Sequence, residues 1–500
     1  MDVTFESFYK NVGFGEYPFS KWSAEQERDR LHELFVRPSY YGPIDEAFKG
    51  GLGMFLIGER GTGKTAAIYD LIRDSKESNI VVLIDDFSSV PVAYNPEDLY
   101  FLIISRVSEK IFEKIFLNRR VLSRLSDSQR LLLSYVYKEY TTSTTKAELA
   151  RRLEHIQVPS WRRWATKAYG LFRGLLNYGA TVTVNFVADA ISKSLGNIAP
   201  NVSDSSVKEY FPDIPFRSDD TFNSLDASLR LLECLADLGH QLTLGRTIVV
   251  LDKLDEDARL EGDAEHIADF LRGVVTATNL HLSQNIQLIA SIWTVPFNML
   301  RKQENVRTQK MNVENLIWDH TDLTRALNNR FSVFSSESVR NYERLGDTDV
   351  SNDLWGEVFE LSNKNPRDLW HLMDSIFRQQ FKINPKSTLI SAAAIQEGMK
   401  SFVSSFNYYE YYPRRANAKA NSMDVYAYIR HLLRLASPEF TRNQLTERSG
   451  VSGSSANNYV AQMENMGLIS SQGQTGGNVN YTIRDPKIRF ALQHQLEISL

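Results

Sequence analysis

Two short stretches hold residue types that could do chemistry together. The first is GERGTGKT, Gly58 to Thr65, which fits the spacing G-x-x-x-x-G-K-[ST] between an apolar run and a helical pattern. At Gly58, Gly61 and Gly63 the backbone can turn its N–H groups inward around phosphate oxygens. The helix that follows adds the partial positive charge of its N-terminus. Lys64 is expected to reach the β- and γ-phosphates of a nucleotide, and Thr65 to offer its hydroxyl to Mg2+.

The second stretch, TIVVLDKLDED, runs a β-branched apolar segment into Asp252, Asp255, Glu256 and Asp257, four acids within six positions. Grouped carboxylates repel one another and resist burial unless a cation sits among them. Given the phosphate loop, Asp252 at the strand's carboxyl end is expected to hold Mg2+, directly or through water. Asp255 and Glu256 are the candidates to polarise the attacking water, and Asp257 belongs to the turn. The alternative, an acid-rich helix N-terminus after a strand, needs no metal.

Two arginines could complete the chemistry, because arginine stays charged and bonds phosphate bidentately. Arg330 could face the γ-phosphate of a neighbouring subunit, and Arg367, in NPRDL, that of its own; an ordinary ion pair is the alternative for each. Ser291 and Thr294, at the end of another apolar run, could contact phosphate or water.

Such a site needs strands that end together. MFLIG, NIVVLIDDF from Asn79, TIVVL and NIQLIASIW from Asn285 are short apolar runs separated by long helical patterns, which predicts an α/β fold of the P-loop NTPase type. In it a parallel sheet carries helices on both faces, with the Ile248–Leu251 strand beside the P-loop strand. SAEQERDRLHELFV before Pro38 reads as a helix. VENLIWDHTDLTRALNNRFSVFS reads as another, ending near Arg330, and Pro366 suits the first turn of a third. The expected domains are a P-loop ATPase domain over 1–330, with a lead-in and a helical insertion at about 96–244, then a helical lid over 331–409 and a linker over 410–422. A winged helix over 423–500 follows, with three helices, a glycine-rich hairpin and a recognition helix near Ser454 to Met466.

Composition narrows the class. A chain of 500 residues, 42% hydrophobic, can bury several cores, and a net charge of −4 excludes bulk electrostatic coating of nucleic acid. The basic stretch SWRRWATKAYGLFRG, with Arg162, Arg163, Lys167 and Arg173, reads as an amphipathic helix with a solvated side. The lone Cys234 excludes an internal disulfide and suggests a reducing compartment. No signal peptide is read, and the least polar segment, Ala168 to Ala190, is too interrupted to span a membrane, so the expected location is the cytoplasm.

GERGTGKT, VVLDKLDE, NPRDL and the C-terminal winged helix together resemble the STAND and origin-recognition-like branch of AAA+ P-loop ATPases. The lead-in VGFGEYPFSKWSAEQERDRLHELFV looks similar to the start of a bacterial group often found in mobile and phage-defence gene islands. The likeness covers about residues 10–100 and 245–490. It implies an ATP-dependent, Mg2+-requiring switch that self-associates, hydrolyses ATP slowly and controls a protein effector, with Arg367 at the second-sensor position and Arg330 as the finger. The rival expectation is a DNA-binding loader or regulator. For that, Asn457, Asn458 and Gln462 could read bases, although their helix carries no Lys or Arg to attract phosphate.

Overall fold

The computed structural model describes residues 4–117, 125–126, 129, 132–133, 136, 140, 225–303, 308–414, 423–450, 453–475 and 478–498. The basic stretch around Arg162, the Ala168–Ala190 segment and most of the expected insertion lie outside them.

Five parallel strands form the central sheet: β1 (Met54–Gly58), β2 (Ile80–Ile84), β3 (Thr247–Leu251), β4 (Ile286–Trp293) and β5 (Asn312–Asn315), in the order β2-β3-β4-β1-β5. Side chains alternate between the faces, as the period of two requires. Phe55, Ile57, Val249 and Leu251 pack against the helices Pro96–Leu117, Leu225–Gln241, Ala264–Thr276 and Thr294–Arg301. Met54, Leu56, Ile248 and Val250 pack against Tyr41–Lys49 and Lys64–Arg73. This is the expected α/β sheet with helices on both faces. Each such fully buried aliphatic or aromatic side chain contributes about 1.5–3 kcal/mol. Gly245 lets β3 draw in beside β2: its φ is +84°, and a Cβ there would lie 1.8 Å from the Ser78 carbonyl oxygen.

The order corrects one expectation. β3 does not lie beside the P-loop strand, because β4 stands between them and pairs with both. The site still assembles. Leu251 is in register with Ala290 and Gly58 with Trp293, so β3, β4 and β1 end at the same edge of the sheet.

Local readings also shift. The stretch read as a helix before Pro38 folds only as short turns, Arg28–Arg30 and Leu31–Leu34. VEN belongs to β5, and the helix that follows runs His320–Phe334, through Arg330 and across the expected 330/331 boundary. The helices Pro96–Leu117 and Leu225–Gln241, assigned to the insertion, pack on the sheet. No helix among the described residues is long and apolar enough to cross a membrane.

The C-terminal part, expected to be a winged helix, combines helices with a three-stranded antiparallel sheet. Val425–Leu432, β6 (Glu439–Thr441), Arg442–Ser449, Gly453–Asn465, β7 (Ile469–Thr475) and β8 (Asn478–Ile483) follow in turn, with sheet order β6-β8-β7 and a final helix Pro486–Gln493. One apolar core joins Phe8, Phe14 and Phe19 of the lead-in to Leu369, Phe377 and Met399 of the lid and to Ile429, Leu445, Met463 and Phe490 of the C-terminal unit. The lead-in therefore packs on the lid side of the molecule. The start of the expected linker is packed too, since Tyr411 and Tyr412 are buried and donate their hydroxyls to Asp368 and Asp485. Large rings with satisfied hydroxyls are stable inside a core, whatever the tyrosine-rich composition suggests.

Candidate nucleotide site

The P-loop turns at the carboxyl end of β1, and the helix Lys64–Arg73 starts on Gly63, whose φ is +85°. Lys64 is half-buried, and its Nζ donates to the carbonyls of Gly58 and Glu59 at 2.9 and 3.1 Å. Burial lowers its pKa, while Asp255, Asp252, Glu59 and Glu256 pull the other way. Trp318 braces the loop by donating its indole N–H to the Thr62 carbonyl at 2.8 Å.

Asp252 follows β3 and is 2% exposed. Ser291, at the matching position of β4, donates its hydroxyl to Asp252 Oδ1. Burial pushes the Asp252 carboxyl above its usual value, and hydrogen bonds from Ser291 and Thr65 with the charge of Lys64 oppose that. A buried carboxylate beside the Thr65 hydroxyl is an oxygen donor set suited to Mg2+, which keeps several water or phosphate ligands of its own. Thr65 and Asp252, the two residues assigned to the metal, are brought together here.

Asp255 and Glu256 are separated in role by their partners. Asp255 Oδ2 and backbone carbonyl both accept from Arg60, each at 2.9 Å, and Arg60 also lies 4.2 Å over the Trp293 ring. Glu256 is solvent-exposed and lines the cavity, where neighbouring protein atoms displace part of its water. This desolvation, and then the charge of Asp255, push its carboxyl up. Asp257 caps the turn after it, accepting the Arg259 N–H at 2.9 Å.

The cavity between the sheet edge, the lead-in and the lid has a volume near 350 Å³, and Gly61, Lys64, Thr65, Asp252, Glu256 and Arg367 all line it. Pockets for small molecules span about 300–1,000 Å³. The lid reaches in through the N-terminus of Pro366–Ile383. Asn365 Nδ2 donates to the Arg60 carbonyl at 2.6 Å and its Oδ1 caps the Arg367 N–H at 3.0 Å. Gly61, with φ +85°, permits this approach, since a Cβ there would sit 2.6 Å from Asn365 Oδ1. The Arg367 side chain is about one-third exposed, its charge acts on Glu256, and it pairs with Glu410 at 3.4 Å.

Arg330 is placed otherwise than expected. It is 3% exposed, pairs with Glu27 at 2.5 Å and donates to the Pro18 and Lys21 carbonyls. The Phe19, Phe334 and Trp370 rings surround it. These partners hold the guanidinium within its own chain, which is the ion-pair alternative. Arg330 ties the lead-in to the lid across the wall of its own cavity. Thr294 lies near Glu59 rather than in the cavity lining.

Spacing alone did not single out Arg60, Lys253, Glu25 or Glu27. Arg60 occupies a variable position of the loop motif. Lys253 adopts a left-handed φ of +59° and pairs with Glu25 at 2.8 Å, a second tie from the lead-in to the site. Only the positive charge between two acids could have flagged it.

No protein-family model matches the chain, and no curated protein matches it. Among solved structures it shows distant likenesses to the Aeropyrum pernix ORC1 protein in complex with DNA, with 11% identity, 92% of this chain and 93% of that chain covered, and a TM-score of 0.32. For Cdc6p from Pyrobaculum aerophilum the values are 11%, 98%, 99% and 0.28. For the Aeropyrum pernix ORC2 protein in its ADP form they are 10%, 97%, 97% and 0.35.

Proposed function

We propose that the chain binds ATP with Mg2+ in this cavity, hydrolyses it slowly and uses the lid to convert occupancy into a change of conformation or self-assembly. The observation that supports this most is the direct bonding of the lid to the phosphate loop, through Asn365 to Arg60 and through the Arg367 N–H to the Gly61 carbonyl at 3.4 Å. A phosphate placed in the loop would alter the seat on which the lid rests.

In this reading Gly58, Gly61 and Gly63 shape the phosphate cradle, and Lys64 binds the β- and γ-phosphates. Thr65 and Asp252 would hold Mg2+, which when bound neutralises phosphate charge. Glu256 takes the proton from the attacking water, Asp255 with Arg60 keeps the acidic loop in place, and Arg367 meets the γ-phosphate from the lid. Arg330 is a tether and not a finger.

The switch would act in the cytoplasm as a homo-oligomer on a protein effector, in anti-phage defence. That part rests on the resemblance of the lead-in and of the four motifs. The C-terminal unit is read as a protein-contact module, because the helix Gly453–Asn465 has no basic residue and Asn457 Oδ1 already accepts from Arg442 at 2.6 Å.

Titration calorimetry of the full chain with ATP and Mg2+, against Lys64→Ala, tests the core of the proposal. Binding in the wild type that the variant loses supports it, and a wild type that binds neither ATP nor ADP ends it. Duplex binding at low salt that responds to ATP would move the reading to the loader.

A further inference from the structure

The lid residue next to Arg367 is held from the C-terminal unit. Asp368 is 4% exposed, and its Oδ2 lies 2.7 Å from Lys487 Nζ and accepts the Tyr411 hydroxyl at 2.7 Å. Lys487 comes from the last helix, Pro486–Gln493, and is fully buried. Its ammonium sits 4.5 Å from the Phe406 ring centroid and 4.7 Å from that of Tyr411.

The same junction is tied twice more. Asp485 caps the Lys487 N–H at 2.8 Å while accepting Tyr412, and Arg489 pairs with Glu360 at 2.9 Å. A lysine is almost never fully buried unless paired, and a paired charge leaves its place only with its partner. A shift of Asp368 therefore carries Lys487 with it. Asp368 cannot stay still when Arg367 and Asn365 move, because all three share the first turn of one helix.

We infer that Lys487 is a positioning residue of the nucleotide site: through Asp368 it sets where Arg367 and Asn365 meet the phosphate loop, so the C-terminal unit and the nucleotide respond to each other. The inference rests on the proposed nucleotide reading and names the regulation of that site. Coupling of this kind is reciprocal. A partner that grips the last helix shifts ATP affinity by the same factor by which ATP shifts the partner's.

The test is hydrogen exchange on the full chain with and without Mg2+ and ATP, in the wild type and in Asp368→Asn/Lys487→Met. The double variant removes both charges at similar volume, so no unpaired ion is left in the core, and its melting curve reports the fold. In the wild type, ATP is expected to change exchange at residues 58–65 and at 486–493 together. In the double variant the change at 58–65 persists, the change at 486–493 is lost, and kcat falls about tenfold with KM for ATP moved less than twofold. No change at 58–65 in the wild type overturns the nucleotide reading itself. A change at 58–65 without one at 486–493 in the wild type, or coupling intact in a folded double variant, overturns the inference alone.

Discussion

Arg60 grips Asp255 at two points, through Nε to the carboxylate and through Nη2 to the backbone carbonyl, and so leaves Glu256 as the unpaired acid of the loop facing the cavity. A carboxylate oxygen already engaged by a guanidinium is not free to accept the attacking water, so the geometry points to Glu256 for that role.

Glu256→Gln is therefore expected to lower the hydrolysis rate by about 10²–10⁴-fold while ATP binding survives. Asp255→Asn weakens the hold on Arg60, so it should destabilise by about 1–3 kcal/mol and lower the rate less. Steady-state hydrolysis and calorimetry on the two variants separate the roles, and equal losses of rate would count against this division. The pH profile gives a second check. Desolvation and Asp255 raise the Glu256 pKa, so the base loses its charge at a higher pH than a free glutamate, near 4.3. The acid limb of the wild-type rate should lie above that value.

Asp252 and Ser291 give a metal prediction. Asp252→Asn keeps an oxygen for the Ser291 hydroxyl and removes the charge that would hold Mg2+. The variant should bind ATP without Mg2+ as the wild type does, and should lose the gain in affinity that Mg2+ provides, about tenfold or 1.4 kcal/mol. Paired titrations with Mg2+ and with a chelator measure this. A variant that still responds fully to Mg2+ would remove Asp252 from the metal's ligands.

The parts of the site that sequence revealed are those with local causes. Gly58 to Thr65 folds as a tight turn between β1 and a helix because its glycines, lysine and threonine act within one turn, and Asp252 follows a strand that announces itself by β-branching. Pairing order is a long-range property, so nothing within TIVVL could say that β4 would lie between it and β1. β5, NVEN, is polar and hugs an edge, and it carried no strand pattern at all. Sequence leaves Arg330 open between a finger and an ion pair because a guanidinium's role depends on what surrounds it. Its partners come from two distant segments, Pro18 and Glu27 from the lead-in and Trp370 from the lid helix. The pairing of Asp368 with Lys487 was equally out of reach.

Gly61 and Asn365 offer a test of the lid's seat. In Gly61→Ala the new Cβ would meet Asn365 Oδ1 at 2.6 Å, and the φ of +85° adds about 1–2 kcal/mol of backbone strain. Gly450, at φ +68° with open space around it, supplies the control, since Gly450→Ala carries the backbone strain without the collision. Both variants should lose a little thermal stability. Only Gly61→Ala should speed hydrogen exchange at residues 365–370 and weaken ATP binding, and matching behaviour of the two would show that the lid does not need the close approach.

His281 gives the fold a pH dependence away from the site. It is 5% exposed, its ring is 4.3 Å from that of Phe55, and its Nε2–H donates to the Val274 carbonyl at 3.1 Å. Burial lowers its pKa from 6.5 to about 4. The unfolded chain therefore takes up a proton that the folded chain refuses in this window. Stability associated with the neutral ring is intact above pH 6.5 and is lost as pH falls to about 4, by roughly 3 kcal/mol in total. His281→Gln keeps a donor for Val274 and cannot titrate. Urea unfolding at pH 7.0, 5.5 and 4.5 should show the wild type losing more stability than the variant across the series. Parallel losses would mean that His281 is protonated in the folded chain.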